Sequence, residues 1–220
     1  MNKLQLKDID FIYPKSDKII LKNLNISFKE ANITSIMGKS GAGKSTLLYL
    51  ISGFSKPNSG QIIWNDEEIK DLEAYRRDVV GTISQSYMLF SSRTVLENVE
   101  YPLILKGTDK NTARKKAEEL LTSVAIGQSH YNKLPEKLSG GEKQRVAIAR
   151  CLASDSKIIV ADEPTGNLDQ ENTDEIINLF KHLAYENNKI IIIVTHDKNL
   201  AEQADSQYEL INGNLNKIDV

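Results

Sequence analysis

The sequence offers almost no means of covalent cross-linking and no segment long enough to cross a membrane as a helix. One cysteine among 220 residues excludes an internal disulfide. The longest apolar run covers residues 190–194, whereas a membrane helix needs about 20 apolar residues. No basic stretch followed by an apolar stretch opens the chain, so we expect the protein to stay on the cytosolic side of the membrane.

An excess of charge of either sign is also missing. The 28 basic and 30 acidic side chains leave a formal net charge of -2, which gives no sign of a nucleic-acid partner. Hydrophobic residues make up 40% of the chain and charged residues 26%, as in ordinary globular proteins. The length suits one substantial domain.

Hydrophobic periodicity predicts strands at both ends of the chain and helices between them. Residues 4–11 and 24–28 alternate apolar and polar side chains, as half-buried strands do. Three other strands are largely apolar throughout, which predicts a parallel sheet covered by helices on both faces. We interpret the helical middle, residues 85–152, as an insertion into this α/β core. The apolar strands are 33–37, 157–161 and 189–194; a further strand is expected at 61–64, and helices at 45–51, 111–124, 141–153 and 171–185.

A glycine-rich segment between a predicted strand and a predicted helix is typical of phosphate-binding loops. Residues 38–46 read GKSGAGKST and match G-x-x-x-x-G-K-[S/T]. Glycines let several backbone N–H groups point at one anion, and the helix N-terminus adds partial positive charge. Lys44 would reach the β- and γ-phosphates of ATP, and the Ser45 hydroxyl would bind Mg²⁺. The expected binding positions are Gly38, Ser40, Gly41, Gly43, Lys44, Ser45 and Thr46; the alternative is an ordinary glycine-rich turn.

Two carboxylates follow the apolar strand at 157–161. Asp162 emerges at the carboxyl end of the strand, where ligands bind in open parallel sheets. It would hold Mg²⁺ through water, and Glu163 would accept a proton from the attacking water. Without the phosphate loop, such a pair is more often a helix cap or a turn.

The segment Leu138-Ser-Gly-Gly-Glu-Lys-Gln-Arg is the most specific string in the chain. Ser139 is a candidate helix N-cap, and Gly140 and Gly141 leave backbone N–H groups exposed, which makes a second anion site. One γ-phosphate cannot easily use two helix N-termini of the same subunit. We therefore interpret the site as one completed by a second copy, the alternative being a plain capped helix.

With this motif the sequence resembles the nucleotide-binding domains of the ATP-binding cassette (ABC) family over essentially its whole length. Four further residues match family elements in the expected order. By that resemblance Tyr13 stacks on adenine, and Gln85 links Mg²⁺ and water to the helical subdomain. Asp169 couples the two sites across a dimer, and His196 contacts the γ-phosphate. Without the family, each would be an ordinary strand, turn or loop residue.

The resemblance implies an α/β fold, a P-loop NTPase with a RecA-like parallel sheet core. To this core it adds an N-terminal antiparallel β subdomain and an inserted α-helical subdomain. The core would comprise residues 1–85 and 153–220, and the helical subdomain residues 86–152. Two cassettes would face head to tail and bury two ATP molecules, each between residues 38–45 of one and 139–141 of the other. The second cassette would be another copy or a paralogue, and Lys44, Mg²⁺ and His196 would stabilise charge on the γ-phosphoryl oxygens.

The same resemblance implies an integral-membrane permease as partner, which places the protein at the inner face of the membrane. The docking surface is expected around residues 85–101, where some of the apolar residues 87–90 would contact the permease and the others would be core of the helical subdomain. Residues 94–103 and 161–169 resemble ATPases of the macrolide-efflux, lipoprotein-release and antimicrobial-peptide export group. Two alternatives remain: regulation of cell-wall hydrolases through a permease-like partner, and iron–sulfur assembly. The sequence does not identify the cargo, because the cargo never touches this subunit.

For three remaining residues the sequence indicates no functional role. Cys151 lies in a helical run of small and apolar residues, which favours a packed thiol over a nucleophile. His130 and His182 match no motif, and we predict that both are surface residues.

Overall fold

The two kinds of strand pattern in the sequence correspond to two separate sheets in the structure, a computed structural model that describes residues 1–218. Helices flank the larger sheet, and two short 3₁₀ helices, Gln128–His130 and Pro135–Lys137, precede the fifth α-helix. In chain order the strands are β1 (Lys3–Ile12), β2 (Ile19–Lys29), β3 (Asn32–Met37), β4 (Ser59–Trp64), β5 (Glu67–Glu68), β6 (Val80–Ser84), β7 (Ile158–Asp162), β8 (Ile190–Val194), β9 (Ser206–Ile211) and β10 (Asn214–Ile218). The α-helices are α1 (Lys44–Ile51), α2 (Leu72–Asp78), α3 (Val95–Leu105), α4 (Lys110–Ser123), α5 (Gly140–Ala153), α6 (Gln170–Tyr185) and α7 (Lys198–Glu202).

The smaller sheet is antiparallel and has the strand order β2-β1-β4-β5. Alternate side chains of β1, such as Leu4 and Leu6, are buried, as the two-residue period of the sequence predicts. This sheet is the N-terminal β subdomain that the family resemblance implies.

The larger sheet has the order β10-β9-β3-β8-β7-β6, and its strands are parallel except for β10, which pairs antiparallel with β9. Both faces of its central strands are covered. Ile191 and Ile193 of β8 pack into a core shared with the helical middle of the chain. Ile190 and Ile192 pack into a second core shared with the antiparallel sheet. Burial on both faces explains why these strands are continuously apolar.

Parallel pairing also gathers the candidate site residues at one edge. The phosphate loop follows β3, Gln85 follows β6, Asp162 ends β7, and His196 follows β8. Since the carboxyl ends of parallel strands meet at the same edge, residues far apart in sequence come together there.

The helical middle of the chain lies between β6 and β7, and α3, α4 and α5 pack against one another. Helix α3 is not evident from periodicity because Pro102 lies inside it. Its start is nevertheless well defined by a capping box between Thr94 and Glu97. None of the helices within residues 1–218 combines the length and apolar character needed to cross a bilayer.

Candidate functional site

The phosphate loop ends at a helix N-terminus whose N–H groups have no side-chain cap. Gly43 is the N-cap of α1, with φ of 104°, and no side chain hydrogen-bonds to the first turn. Gly41 also has positive φ, 77°, which L-residues with a side chain rarely adopt. Uncapped N–H groups at a helix start are the groups that bind an anion.

The side chain of Lys44 folds back over this loop. Its Nζ donates to the carbonyl oxygens of Gly38 at 2.6 Å and Lys39 at 3.2 Å. Gly38 itself packs tightly, because a Cβ there would lie 2.8 Å from the carbonyl oxygen of Leu210. The ammonium is thus held at the loop where phosphate oxygens would bind. Ser40 and Gly41 of the loop and Ser45 in the first turn of α1 are exposed.

Tyr13 lies beside the helix that follows the loop. Its hydroxyl is 2.9 Å from Oγ1 of Thr46, and the edge-to-face ring of Phe11 is 4.9 Å away. The Tyr13 side chain remains partly exposed. An aromatic ring at this place can offer a face to a planar base.

Asp162 is half-buried at the end of β7, and its carboxylate accepts no hydrogen bond from any residue in 1–218. Burial raises the pKa of Asp162, and the neighbouring Glu163 raises it further, while Lys44 acts in the opposite direction. A cation next to this carboxylate would favour its ionised form.

Glu163 is tied to the segment after β8 by three contacts. Its Oε2 accepts hydrogen bonds from Thr195 Oγ1 at 3.1 Å and from the His196 backbone N–H at 3.2 Å. Its Oε1 lies 2.8 Å from His196 Nδ1. The backbone of Glu163 has φ of 46°, a left-handed conformation that costs about 1–2 kcal/mol for a residue other than glycine. The carboxylate is therefore oriented by the structure and is mostly shielded, whereas the His196 ring is largely exposed.

Gln85 contacts the loop that leads to Asp169. Its carbonyl oxygen accepts a hydrogen bond from Asn167 Nδ2 at 3.2 Å. Its side-chain amide lies so close to Gly166 that a Cβ there would be 2.8 Å from Nε2. Any displacement of the segment after β6 would therefore act on this loop directly.

The second anion-site candidate is the N-terminus of α5, which carries a complete capping box. Ser139 Oγ accepts from the Glu142 N–H at 3.2 Å, and Glu142 Oε2 accepts from the Ser139 N–H at 2.7 Å. The hydrogen bond from Ser139 is the main reason that the pKa of Glu142 lies below its usual value. This arrangement sets the position of the Ser139 hydroxyl at the helix start.

The two glycines after Ser139 are closely packed, and Gly141 has no room for a side chain. A Cβ on Gly141 would lie 2.1 Å from Asn172 Oδ1, and one on Gly140 would lie 3.2 Å from the Tyr87 hydroxyl. The sequence argument, which assigned these glycines to exposing N–H groups, is incomplete. Gly141 also lets α5 approach the start of α6. Asp169 caps that start by accepting from the N–H and Nδ2 of Asn172, both at 2.9 Å.

We predict that Gly141→Ala lowers the free energy of unfolding by about 1–3 kcal/mol, because the added methyl group overlaps Asn172. Thermal unfolding followed by circular dichroism measures the loss. Gly127→Ala is a matched control, since a Cβ there meets no atom within 4 Å. Equal melting temperatures for the Gly141 variant and the wild type would contradict the packing role.

The structure brings the predicted residues together as two groups. The phosphate loop, Asp162, Glu163 and His196 lie at the carboxyl edge of the parallel sheet, and the second group is built around Ser139 and Asp169. Within residues 1–218, no hydrogen bond or ion pair joins residues 139–141 to residues 38–46.

An aromatic and cationic cluster follows Gln85, in the segment predicted to dock a partner. The rings of Phe90 and Tyr101 meet edge to face at 5.2 Å, and Arg93 and Arg150 lie over them. Met88 is 70% exposed. The segment therefore has an exposed apolar part of the kind that marks a contact surface.

Sequence reasoning missed some functional contacts and misjudged one residue. Thr195 carries no motif signal that marks it as a partner of Glu163. His130 is not the plain surface residue that its sequence predicts: its side chain is 23% exposed, and its Nε2 lies 3.0 Å from Glu142 Oε1. His182 is exposed, as predicted. Cys151 is buried, and burial raises its thiol pKa to about 12, as suits a packed thiol.

Comparison with known proteins identifies relatives of the whole chain. The family model described as "ABC transporter" matches residues 21–166. A lipoprotein-releasing system ATP-binding protein, LolD of Rickettsia bellii, is 41% identical over 215 residues, which are 97% of each chain. The ABC transporter ATP-binding protein MJ0796 of Methanocaldococcus jannaschii is 40% identical and is covered to 95%, for 97% of this chain.

Solved structures of ABC proteins also resemble this chain over almost its whole length. A dimeric MJ0796 structure in a post-hydrolysis state, bound to ADP and Pi, superposes with a TM-score of 0.88 at 37% identity over 99% of both chains. The cbiO1 protein of Clostridium perfringens, part of an ABC transporter complex, superposes with a TM-score of 0.87 at 29% identity, covering 96% of this chain and 86% of that one.

Proposed function

The chain belongs to the ABC transporter family, and from this premise we propose that two cassettes close around two ATP molecules and drive a separate membrane permease. It is an ATP-hydrolysing subunit of a transporter. The observation that carries the proposed mechanism is the uncapped N-terminus of α1 beside Asp162 and Glu163. The two-subunit arrangement is supported by a solved relative, MJ0796, which forms a dimer with ADP and Pi bound.

Binding of ATP is assigned to the phosphate loop and to Tyr13. The N–H groups after Gly43 would receive phosphate oxygens, and Lys44 would exchange its carbonyl contacts for the β- and γ-phosphates. An ammonium gains more from a phosphate than from two carbonyl oxygens, because both partners are charged. Tyr13 would pack against the adenine base while its hydroxyl stays near Thr46.

A Mg²⁺ site is assigned to Ser45, Gln85 and Asp162. Hydroxyl, amide and carboxylate oxygens are the ligand types that Mg²⁺ prefers. The carboxylate of Asp162 also fits a cation because it is half-buried and accepts no hydrogen bond from the described residues 1–218. When bound, Mg²⁺ supplies charge that offsets the negative charge on the phosphoryl oxygens.

The hydrolytic step is assigned to Glu163 and His196. Glu163 would accept a proton from the attacking water, which requires one carboxylate oxygen to leave His196. Thr195 and the His196 N–H both hold Oε2, so Oε1 can be released while the carboxylate stays oriented. The freed His196 ring, already exposed, would then face the γ-phosphate.

Closure of the dimer is assigned to Ser139, Gly140 and Gly141. The N–H groups of Gly140 and Gly141 and the Ser139 hydroxyl would complete the site of the other subunit, while the Ser139 N–H stays bound to Glu142. Asp169, at the start of α6, touches the same helix pair through Asn172, which places it to couple the two sites.

We predict that Ser139→Arg leaves ATP binding by the monomer within about twofold of wild type and prevents ATP-driven dimerisation. The phosphate loop is untouched, whereas a bulky side chain would occupy the space of the partner's γ-phosphate. Calorimetry measures binding and light scattering measures mass, with Ser139→Ala as the smaller control. Unimpaired hydrolysis by the arginine variant would contradict the proposal that a second subunit completes the ATP site.

The permease is expected to dock on the segment that follows Gln85, through Met88 and the Phe90–Tyr101 cluster. Such docking would hold the protein at the inner, cytoplasmic face of the membrane. We propose the division into a core of residues 1–85 and 153–220 and a helical subdomain of residues 86–152, with the segment near Gln85 as their link. Relatives named as lipoprotein-releasing ATPases support the export group predicted from the sequence.

A further inference from the structure

The carboxylate of Glu142 serves two partners at once. Oε2 accepts the hydrogen bond from the Ser139 N–H at 2.7 Å, and Oε1 lies 3.0 Å from His130 Nε2. The Glu142 N–H in turn donates to Ser139 Oγ. His130 therefore contacts the carboxylate that holds the Ser139 amide, and this carboxylate belongs to the residue whose backbone N–H holds the Ser139 hydroxyl.

His130 is itself held in place by its own segment. It ends the 3₁₀ helix Gln128–His130, its N–H donates to the Gly127 carbonyl at 3.0 Å, and its Nδ1 lies 3.2 Å from Ser129 Oγ. Its ring is only 23% exposed. A histidine with both ring nitrogens in contact has little freedom to turn, so Nε2 stays directed at Glu142.

The residues around this pair favour the ionised form of the Glu142 carboxylate. Glu142 is ionised more readily than a free glutamate, since the Ser139 N–H holds its pKa low and His130 and Lys133 lower it further. An ionised Glu142 contacts a charged imidazole more strongly than a neutral one. Histidine changes charge between about pH 5 and 8.

We infer that His130 is a positioning residue for the ATP site that two subunits share. It holds the Glu142–Ser139 capping box in the geometry that closes on the partner's nucleotide. The inference depends on the proposed two-subunit site. His130 touches no nucleotide in this arrangement and acts through Glu142. A closed dimer contains two such contacts, so a modest effect at each is doubled in the free energy of dimerisation.

The test is ATP-driven dimerisation in the Glu163→Gln background at pH 6 and pH 8, measured by light scattering across a protein dilution series. We expect His130→Ala to weaken dimerisation about three- to tenfold at pH 6, with unchanged ATP binding by the monomer. The ratio of the dimerisation constant of the parent to that of the alanine variant should be larger at pH 6 than at pH 8. His130→Arg, which carries a constant charge, should restore dimerisation and remove that difference.

His182→Ala is the matched control, because His182 is exposed on α6, and it should behave as the parent. His130→Gln provides a second neutral variant if the alanine variant melts early, and it should lack the pH difference. Parent-like dimerisation by both neutral variants at both pH values would overturn the inference. Failure of the parent itself to dimerise with ATP would instead contradict the two-subunit site, so the two failures are distinguishable.

Discussion

Replacing Glu163 with glutamine will stop ATP hydrolysis, lowering turnover by a factor of about 10²–10⁴, while ATP binding is kept. The amide has the shape of the carboxylate, and its oxygen can still accept from Thr195 and from the His196 N–H, as Oε2 does now. It cannot take a proton from water. The variant thus separates the orientation of this side chain from its basicity.

Trapped ATP should hold the Glu163→Gln protein in the closed state. Light scattering with and without Mg²⁺-free ATP is therefore expected to show a shift from monomer to dimer, and phosphate release measures the lost turnover. Glu186→Gln, an exposed position, is the control and should hydrolyse ATP normally. Full turnover by the Glu163 variant would remove this residue from the mechanism, and a variant that binds ATP as a monomer would count against the two-subunit site.

Replacing Lys44 with alanine should weaken ATP binding at least a hundredfold and abolish turnover. The ammonium is the only side-chain cation that hydrogen-bonds to the phosphate loop in the described residues 1–218. Its loss leaves the β- and γ-phosphates with backbone N–H groups alone, whereas charge-assisted contacts are about twice as strong as neutral ones.

Calorimetry measures the loss of binding by the Lys44 variant, and the thermal stabilisation that ATP confers on the folded protein should vanish with it. Lys39→Ala is a matched control in the same loop. The Lys39 side chain is exposed, and only its backbone carbonyl contacts Lys44. Normal turnover by Lys44→Ala would contradict the assignment of this loop as the ATP site.

Much of the fold follows from the period and composition of short segments. Runs such as residues 190–194 can only be buried on both faces, and the two cores on either side of the larger sheet meet that requirement. Helix α3 is not predicted because Pro102 interrupts its helical pattern. The strands β9 and β10 are not predicted either, because their burial depends on pairing with β3 and with each other.

The contacts of the site follow a similar division. Local motifs specify the glycine loop, the carboxylates after β7 and the capping box at Ser139, because each depends on neighbours within a few residues. The partner of Glu163 is 32 residues away in Thr195. The partner of Gly141 is Asn172 on another helix.

The sequence by itself determined the chemistry: which backbone turns can bind phosphate, which side chains can carry charge to it, and which segments must be buried. These are properties of short stretches, set by backbone conformation and hydrophobic period. Only the tertiary structure decided which groups meet. It brought Glu163 into contact with His196, Gly141 into contact with Asn172 and His130 into contact with Glu142. These contacts arise from the packing of strands and helices, which no local pattern encodes.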